Sequence, residues 1–307
     1  MKRADITLPH EKEWELYHNC FSLCSKKLRF CLAELGISYE SHHVDLIETG
    51  SYQNVGREYL KVNPAGLVPV LVHEGYPIYE SHDEIVYAAA HAGERGRALL
   101  PGDDEPEIRA LVEHWTDCAS LKGKNPVDGT RERAGHCIPG LTVPIFATMV
   151  ETIPYREIAR GLLSHPNKER PMIFMTLKLL GVHRLPKLAP AMKLLRRSRR
   201  DMERHLDALG EQLEKHGGAW IAGEHFTLAD VSWVVILDRL VEADFDGFFW
   251  GDGRRPGVAA YWERLRARPS YREAIEDARD ESTRRGMAEV KLAKARDPRL
   301  LEALEGA

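Results

Sequence analysis

The chain has 307 residues, 43% of them hydrophobic and 29% charged, which suits one large or two ordinary domains of a globular protein. A net charge of -4 gives no general reason to expect nucleic-acid binding. The most apolar stretch, Ile138 to Val150, is broken by Pro139 and Pro144 and is too short to span a bilayer, so no transmembrane segment is expected.

Met1-Lys2-Arg3-Ala4-Asp5 is charged and no apolar run follows it, so no signal peptide is expected. The five cysteines then read as reduced thiols in a cytoplasmic compartment. Cys20 and Cys24 do not have the C-x-x-C spacing. His42-His43 lack ligand partners at useful spacings, so no metal site is expected.

Leu16 to His18 is a short β-like run that breaks at Asn19. Leu28, Cys31, Leu32 and Leu35 then form one apolar helix face, ended by Gly36. Ser22, Cys24 and Ser25 therefore fall on a strand-to-helix turn. Free N–H groups and the positive end of the helix dipole stabilise an anion there, a thiolate included. Plain N-capping by serine is the other reading of the same residues.

Ile37 to Leu46 is a second extended run, and Arg57 to Val62 a short helix closed by the turn Asn63-Pro64-Ala65-Gly66. Leu67 to His73 and Tyr76 to Tyr79, joined at Glu74-Gly75, predict a hairpin. Pro69 is out of place inside a strand. A cis Val68–Pro69 bond would leave the Val68 N–H and C=O free to pair with an extended peptide, whereas a trans proline would merely start the strand. Ser81 and Glu84 have the spacing of a capping box, and the helix behind them offers a second anion site. There Ser81 could bind a carboxylate and Glu80 an amino group.

Residues 14–96 thus run β-α-β, hairpin, helix, the order of a thioredoxin-like α/β domain. Leu99 to Pro106 reads as a linker, and from 105 to 282 the periodicity is almost wholly helical, with candidate helices at Ile108–Leu121 and Lys193–His216. Arg196 to Arg200 reads as a solvated basic face. Thr227 and Asp230 form a capping box, with Phe226 and Val231 as a hydrophobic staple, and loss of either polar residue should cost ~1 kcal/mol or more. Met287 to Leu304, in the tail 283–307, predicts an amphipathic helix.

Ser22-Leu23-Cys24-Ser25, Asn63-Pro64-Ala65-Gly66-Leu67-Val68-Pro69-Val70-Leu71, Glu80-Ser81 and Ala222-Gly223 through Thr227-Leu228-Ala229-Asp230 resemble, in order and spacing, the motifs of a cytosolic-type glutathione transferase. Within that family, Ser-x-Cys-Ser-x-Lys-x-Arg is similar to the tetrachlorohydroquinone dehalogenase-like and ganglioside-induced differentiation-associated protein-like group. The resemblance implies a thioredoxin-like domain followed by an all-α domain, glutathione as cosubstrate, a small hydrophobic and aromatic electrophile, and a homodimer. It implies Ser22 near the glutathione sulfur and Cys24 as the cysteine that attacks a glutathionyl intermediate. Leu67, Val68 and Pro69 would line the cysteinyl part of glutathione, with Glu80 and Ser81 at its γ-glutamyl end. A non-catalytic glutathione-binding scaffold and a monothiol glutathione-dependent reductase are the alternatives. Residues 123–190 exceed the corresponding part of compact members and read as an insertion beside the electrophile pocket.

Overall fold

The computed structural model describes residues 7–306 apart from 124, 126 and 166. β1 (Trp14–His18) turns at residues 19–22 into α1 (Leu23–Leu35), and β2 (Glu40–His43) follows. Gly36 ends α1 at φ 70 and returns its N–H to the carbonyls of Ala33 and Leu32, a left-handed cap that glycine adopts without a Cβ penalty. α2 (Tyr59–Val62) leads to the hairpin β3 (Val70–His73) and β4 (Tyr76–Ile78), then α3 (Ser81–His91) and α4 (Gly93–Leu99).

The sheet order is β2-β1-β3-β4, with β1 parallel to β2, and both β1–β3 and β3–β4 antiparallel. β1 and β4 therefore point the same way, with β3 reversed between them. The C-terminal ends of β1 and β4 and the start of β3 must share one edge. The register fixes this: Tyr17 lies opposite Val70, and Leu71 opposite Ile78. That edge positions the site described below.

The second half is helical: α5 (Pro106–Cys118), α6 (Ile138–Leu141), α7 (Val143–Met149), α8 (Tyr155–Ser164), α9 (Glu169–Leu180), α10 (Ala189–His216), α11 (Leu228–Glu242), α12 (Asp246–Trp250), α13 (Pro256–Arg266), α14 (Pro269–Tyr271), α15 (Glu281–Arg296) and α16 (Pro298–Glu305). α11 is its axis. Trp233, Val234, Val235 and Leu237 are buried along it, and it packs against both α1 and α5. No helix among the described residues is long and apolar enough to cross a membrane.

Asp230 secures the start of α11. Its carboxylate accepts from the N–H of Thr227 at 2.8 Å and of Ile221 at 3.1 Å, and from the Tyr261 hydroxyl at 2.7 Å. The capping box is present, and Phe226 packs edge-on against Trp220 and Phe30. Because Asp230→Ala leaves buried donors unpaired, we expect it to lower the denaturant-unfolding free energy by about 3 kcal/mol or more.

Three sequence expectations change. The predicted tail helix is two helices, broken at Asp297-Pro298, where Asp297 caps α16 by accepting from Arg299 and Leu300. The basic run 196–200 is not wholly solvated: Arg199 is buried and donates to the Leu304 carbonyl at 2.8 Å, tying α10 to the tail. Ser81 and Glu84 form no capping box. Glu80 is the N-cap, Ser81 the first helical residue, and Glu84 turns into the core instead.

Much of the expected insertion is helical and lies against the α/β domain. Phe146 of α7 meets Phe21 edge-on, Arg170 of α9 pairs with Glu48 at 3.0 Å, and α8 closes on the Tyr52 ring at Gly161. A Cβ at Gly161 would stand 2.2 Å from that ring, so only glycine permits this approach.

Candidate active site

The turn between β1 and α1 is organised by Asn19. Its Oδ1 accepts from the N–H groups of Phe21 (3.0 Å) and Ser22 (3.1 Å), while its Nδ2 donates to Val44 O and Thr49 Oγ1. Two buried arginines hold the other side of the same turn. Arg29 donates to the carbonyls of Asn19 (2.9 Å) and Cys20 (3.1 Å), and also to Ala274 O. Arg239 of α11 donates to Phe21 O and lies over the Phe21 ring, 3.7 Å from its centroid. Three successive carbonyls are thereby fixed by guanidinium groups, one from each half of the chain.

Ser22 is the N-cap of α1, its Oγ accepting from Ser25 N at 3.3 Å. This contact uses a lone pair and leaves the hydroxyl proton available to an anion in front of the helix. Capping and anion binding are thus compatible at one serine. Cys24 is the second helical residue, where the backbone N–H has no intrahelical acceptor. Ser22 and Cys24 are half-buried, whereas Phe21, Leu23 and Ser25 are buried, so the turn presents the first two outward.

The remaining thiols are in different surroundings. Burial pushes Cys20 up to about 12, with the Asp280 carboxylate adding to the rise, and burial also raises Cys31, Cys118 and Cys137. A raised pKa withholds the thiolate that nucleophilic chemistry needs. Tyr17 stacks on His42 at 4.4 Å, and burial raises its hydroxyl too.

At the same sheet edge the Val68–Pro69 bond is cis. The loop before it is pinned by Tyr59 Oη and Asn63 Nδ2, both donating to Leu67 O (2.5 and 2.8 Å), and by Asn54 Nδ2 on Gly66 O. Val68 itself makes no backbone hydrogen bond among the described residues. Leu67 differs from its neighbour: its carbonyl is already taken, and what it offers is an exposed side chain. Glu80, at φ 70, turns β4 into α3, with Glu80 exposed and Ser81 half-buried. Ser22, Cys24, Leu67, Val68, Pro69, Glu80 and Ser81 therefore all belong to one edge of the sheet. Two cavities of about 190 and 310 Å³ lie elsewhere, one beside His18 and Tyr39 and the other between α3 and α5.

Beneath the edge are Lys27, one turn after Cys24, and Glu84, one turn after Ser81. Burial draws the Lys27 ammonium down, opposed by the nearby Cys24 and Glu84. Burial pushes Glu84 up to about 8, against the Leu71 N–H bond (3.2 Å) and Lys27. Its other oxygen, Oε2, is buried with no hydrogen-bond partner among the described residues. Because its folded pKa lies above the unfolded value of about 4.5, folding favours the protonated form. The contribution of Glu84 to stability is then fully present below about pH 4.5 and is lost as pH rises toward 8. We expect Glu84→Gln to lose this dependence and to exceed the parent protein at pH 8 by on the order of 1–3 kcal/mol. Thermal unfolding at pH 5 and pH 8 checks this.

Asn19 and the Arg29–Arg239 pair were not singled out as site residues by sequence reading. Asn19 registered only as a strand breaker and Arg29 only as a motif position, while Arg239 lies 210 residues beyond Arg29. Among the described residues no cluster of His, Cys, Asp and Glu could hold a metal.

Comparison with known proteins adds an independent line. Residues 21–91 match the family described as glutathione S-transferase, N-terminal domain, and residues 192–264 the corresponding C-terminal domain. The chain is 28% identical over 298 residues to a 2,5-dichlorohydroquinone reductive dechlorinase of Sphingobium indicum, covering 86% of this chain and 83% of that one. It is 28% identical over 264 residues to glutathione S-transferase TCHQD of Arabidopsis thaliana, covering 85% and 89%. A human ganglioside-induced differentiation-associated protein 1-like 1 is 26% identical over 280 residues, covering 85% and 73%. Among solved structures, a beta-etherase from Sphingobium sp. strain SYK-6 superposes with a TM-score of 0.67 at 23% identity, covering 87% of this chain and all of that one.

Proposed function

The chain belongs to the glutathione S-transferase family, and we propose that its site at the α1 N-terminus activates the glutathione thiol for attack on a hydrophobic, aromatic electrophile and carries out reductive dehalogenation through Cys24. One observation carries this reading: the Ser22 hydroxyl, Cys24 and the backbone of Val68, which makes no hydrogen bond among the described residues, share one sheet edge.

The residues fit glutathione. The Val68 N–H and C=O are available to pair with its extended cysteinyl backbone. The first-turn N–H groups of α3 with Ser81 would take the γ-glutamyl carboxylate, and Glu80 the amino group. The Ser22 O–H and the α1 dipole would favour the thiolate; each unit of pKa lowering is worth ~1.4 kcal/mol and gives up to about tenfold more thiolate near neutral pH.

The thiolate sulfur forms a bond to the carbon bearing the halide, and the halide leaves with the bonding pair. Cys24, as thiolate, then attacks the sulfur of the aryl thioether. A Cys24–glutathione disulfide forms, and the carbon–sulfur pair returns to the ring, which takes a proton. A second glutathione reduces that disulfide, so one substrate is reduced and two glutathiones are oxidised. The reductive dechlorinase similarity supports assigning the second step to Cys24. A homodimer and a cytoplasmic setting belong to the same proposal.

Retention on immobilised glutathione, combined with turnover of a panel of aryl halides, is the test. Retention with halide release supports the proposal. Retention without turnover of any member would make the protein a glutathione-binding scaffold instead.

A further inference from the structure

We propose that the α8–α9 hairpin docks the protein on an anionic lipid surface. Five of the eight large hydrophobic side chains exposed among the described residues fall between positions 155 and 179. Leu163 is 86% exposed, Met172 59% and Ile173 55%. On α8, Tyr155, Ala159 and Leu163 recur every four residues on the exposed side, while Ile158 and Gly161 face inward. On α9, Phe174 and Leu177 are buried and Met172, Ile173 and Leu179 are left outside. An isolated exposed leucine needs no explanation, but a concentration on one hairpin does.

The charge around these residues selects the occupant. Residues 154–187 contain seven Lys or Arg against two Glu, although the whole chain is net negative. Arg170 is engaged with Glu48, and Arg156 with Glu157 at 3.4 Å. Arg160, Lys168, Arg184 and Lys187 are exposed, and Glu169 is the exposed carboxylate in this range among the described residues. Two copies meeting through this face would bring like charge together, which opposes self-association. Bulky aliphatic side chains interleaved with cations suit the headgroup boundary. The apolar groups enter the acyl edge while Lys and Arg reach phosphate and carboxylate. The hairpin would lie on the membrane, in keeping with the absence of a spanning helix among the described residues.

The test is co-sedimentation of the full chain with vesicles of phosphatidylcholine alone and of phosphatidylcholine mixed equally with phosphatidylserine. We expect binding to the mixed vesicles, weakened by salt, and little to the neutral ones. Leu163→Glu with Ile173→Glu should lower partitioning at least about tenfold, and Arg160→Gln with Lys168→Gln by about tenfold. Both pairs are exposed, so circular dichroism and thermal unfolding should match the parent. Equal binding to both vesicle types, no binding to either, or variants that partition like the parent would overturn the proposal. Conversion of a dimer to a monomer by the Glu pair, seen by sedimentation equilibrium, would assign the face to a second copy and also overturn it.

Discussion

Replacing Asp238 by alanine is expected to lower stability by about 3–5 kcal/mol. Asp238 lies on α11 and is fully buried, accepting from Lys26 Nζ of α1 at 2.7 Å and from the Tyr271 hydroxyl at 2.7 Å, and pairing with Arg279. Glu242, one turn on, pairs with Lys26, with Arg279 at 3.2 Å and with Arg239 at 2.9 Å. Three cations thus share two carboxylates in a dry interface between the two halves of the chain. Removing one carboxylate leaves the buried Lys26 and Arg239 and the partly buried Arg279 facing a single partner, and that uncompensated charge is the cost. Replacing Lys26 and Asp238 together with Met and Leu should cost much less, because the cation and the carboxylate leave as a pair.

The same cluster predicts an acid limb. Against its own burial, Lys26 and Arg279 hold Asp238 down at about 2, below the unfolded value of about 3.9. A depressed carboxylate contributes stability that is present above the unfolded pKa and lost as pH falls through the folded one. Stability should therefore decline between about pH 4 and pH 2, and Asp238→Asn should flatten that decline. Urea unfolding at a series of pH values measures both effects. An Asp238→Ala protein within about 1 kcal/mol of the parent would mean that the cluster contributes no net stability.

The second large effect separates Ser22 from Cys24. Cys24→Ser is expected to leave conjugation of a generic aryl halide near its parent rate and to abolish reductive removal of the halide. Serine cannot form the disulfide on which that step depends. Ser22→Ala should raise the pKa of the bound glutathione thiol by about 1 unit and slow conjugation about tenfold at pH 7, the equivalent of ~1.4 kcal/mol. Ultraviolet absorbance of the bound thiolate against pH gives the first quantity directly. If that pKa does not move, Ser22 only caps α1 through its bond to Ser25. The helix itself should survive, since an N-cap is worth ~1 kcal/mol.

The two predictions concern one construction. Lys26 belongs to the first turns of α1 that present Ser22 and Cys24, and Arg239, which pairs with Glu242, also holds the Phe21 carbonyl. Loosening the ion cluster therefore loosens the turn on which the thiol chemistry is proposed to occur.

The features legible from sequence were those closed by residues a few positions apart. Gly36 could end α1, Asn63-Pro64-Ala65-Gly66 could close a turn, and Thr227 could meet Asp230, because each needs only a local loop of backbone. The chain order of the strands and helices followed from the same local periods, whereas the sheet order, and with it the edge that gathers Ser22, Val68, Glu80 and Ser81, came from the strand pairing. Where local pattern and tertiary demand competed, the pattern misled. Glu84 had the spacing of a capping residue, yet its side chain was drawn into the core to meet the Leu71 N–H.

The amino-acid sequence by itself determined the order of elements, the caps at Gly36 and Thr227 and the turn that carries Ser22 and Cys24. Tertiary structure alone decided that Lys26, Arg29, Asp238, Arg239 and Glu242 are buried rather than solvated. It also decided that residues 154–187 leave an apolar, basic hairpin face outside. A charged residue is ordinarily a surface residue, and nothing in its neighbours along the chain says otherwise. Its burial depends on a partner more than 200 residues away, as for Lys26 and Asp238, and that partner is supplied only when the two halves of the chain pack.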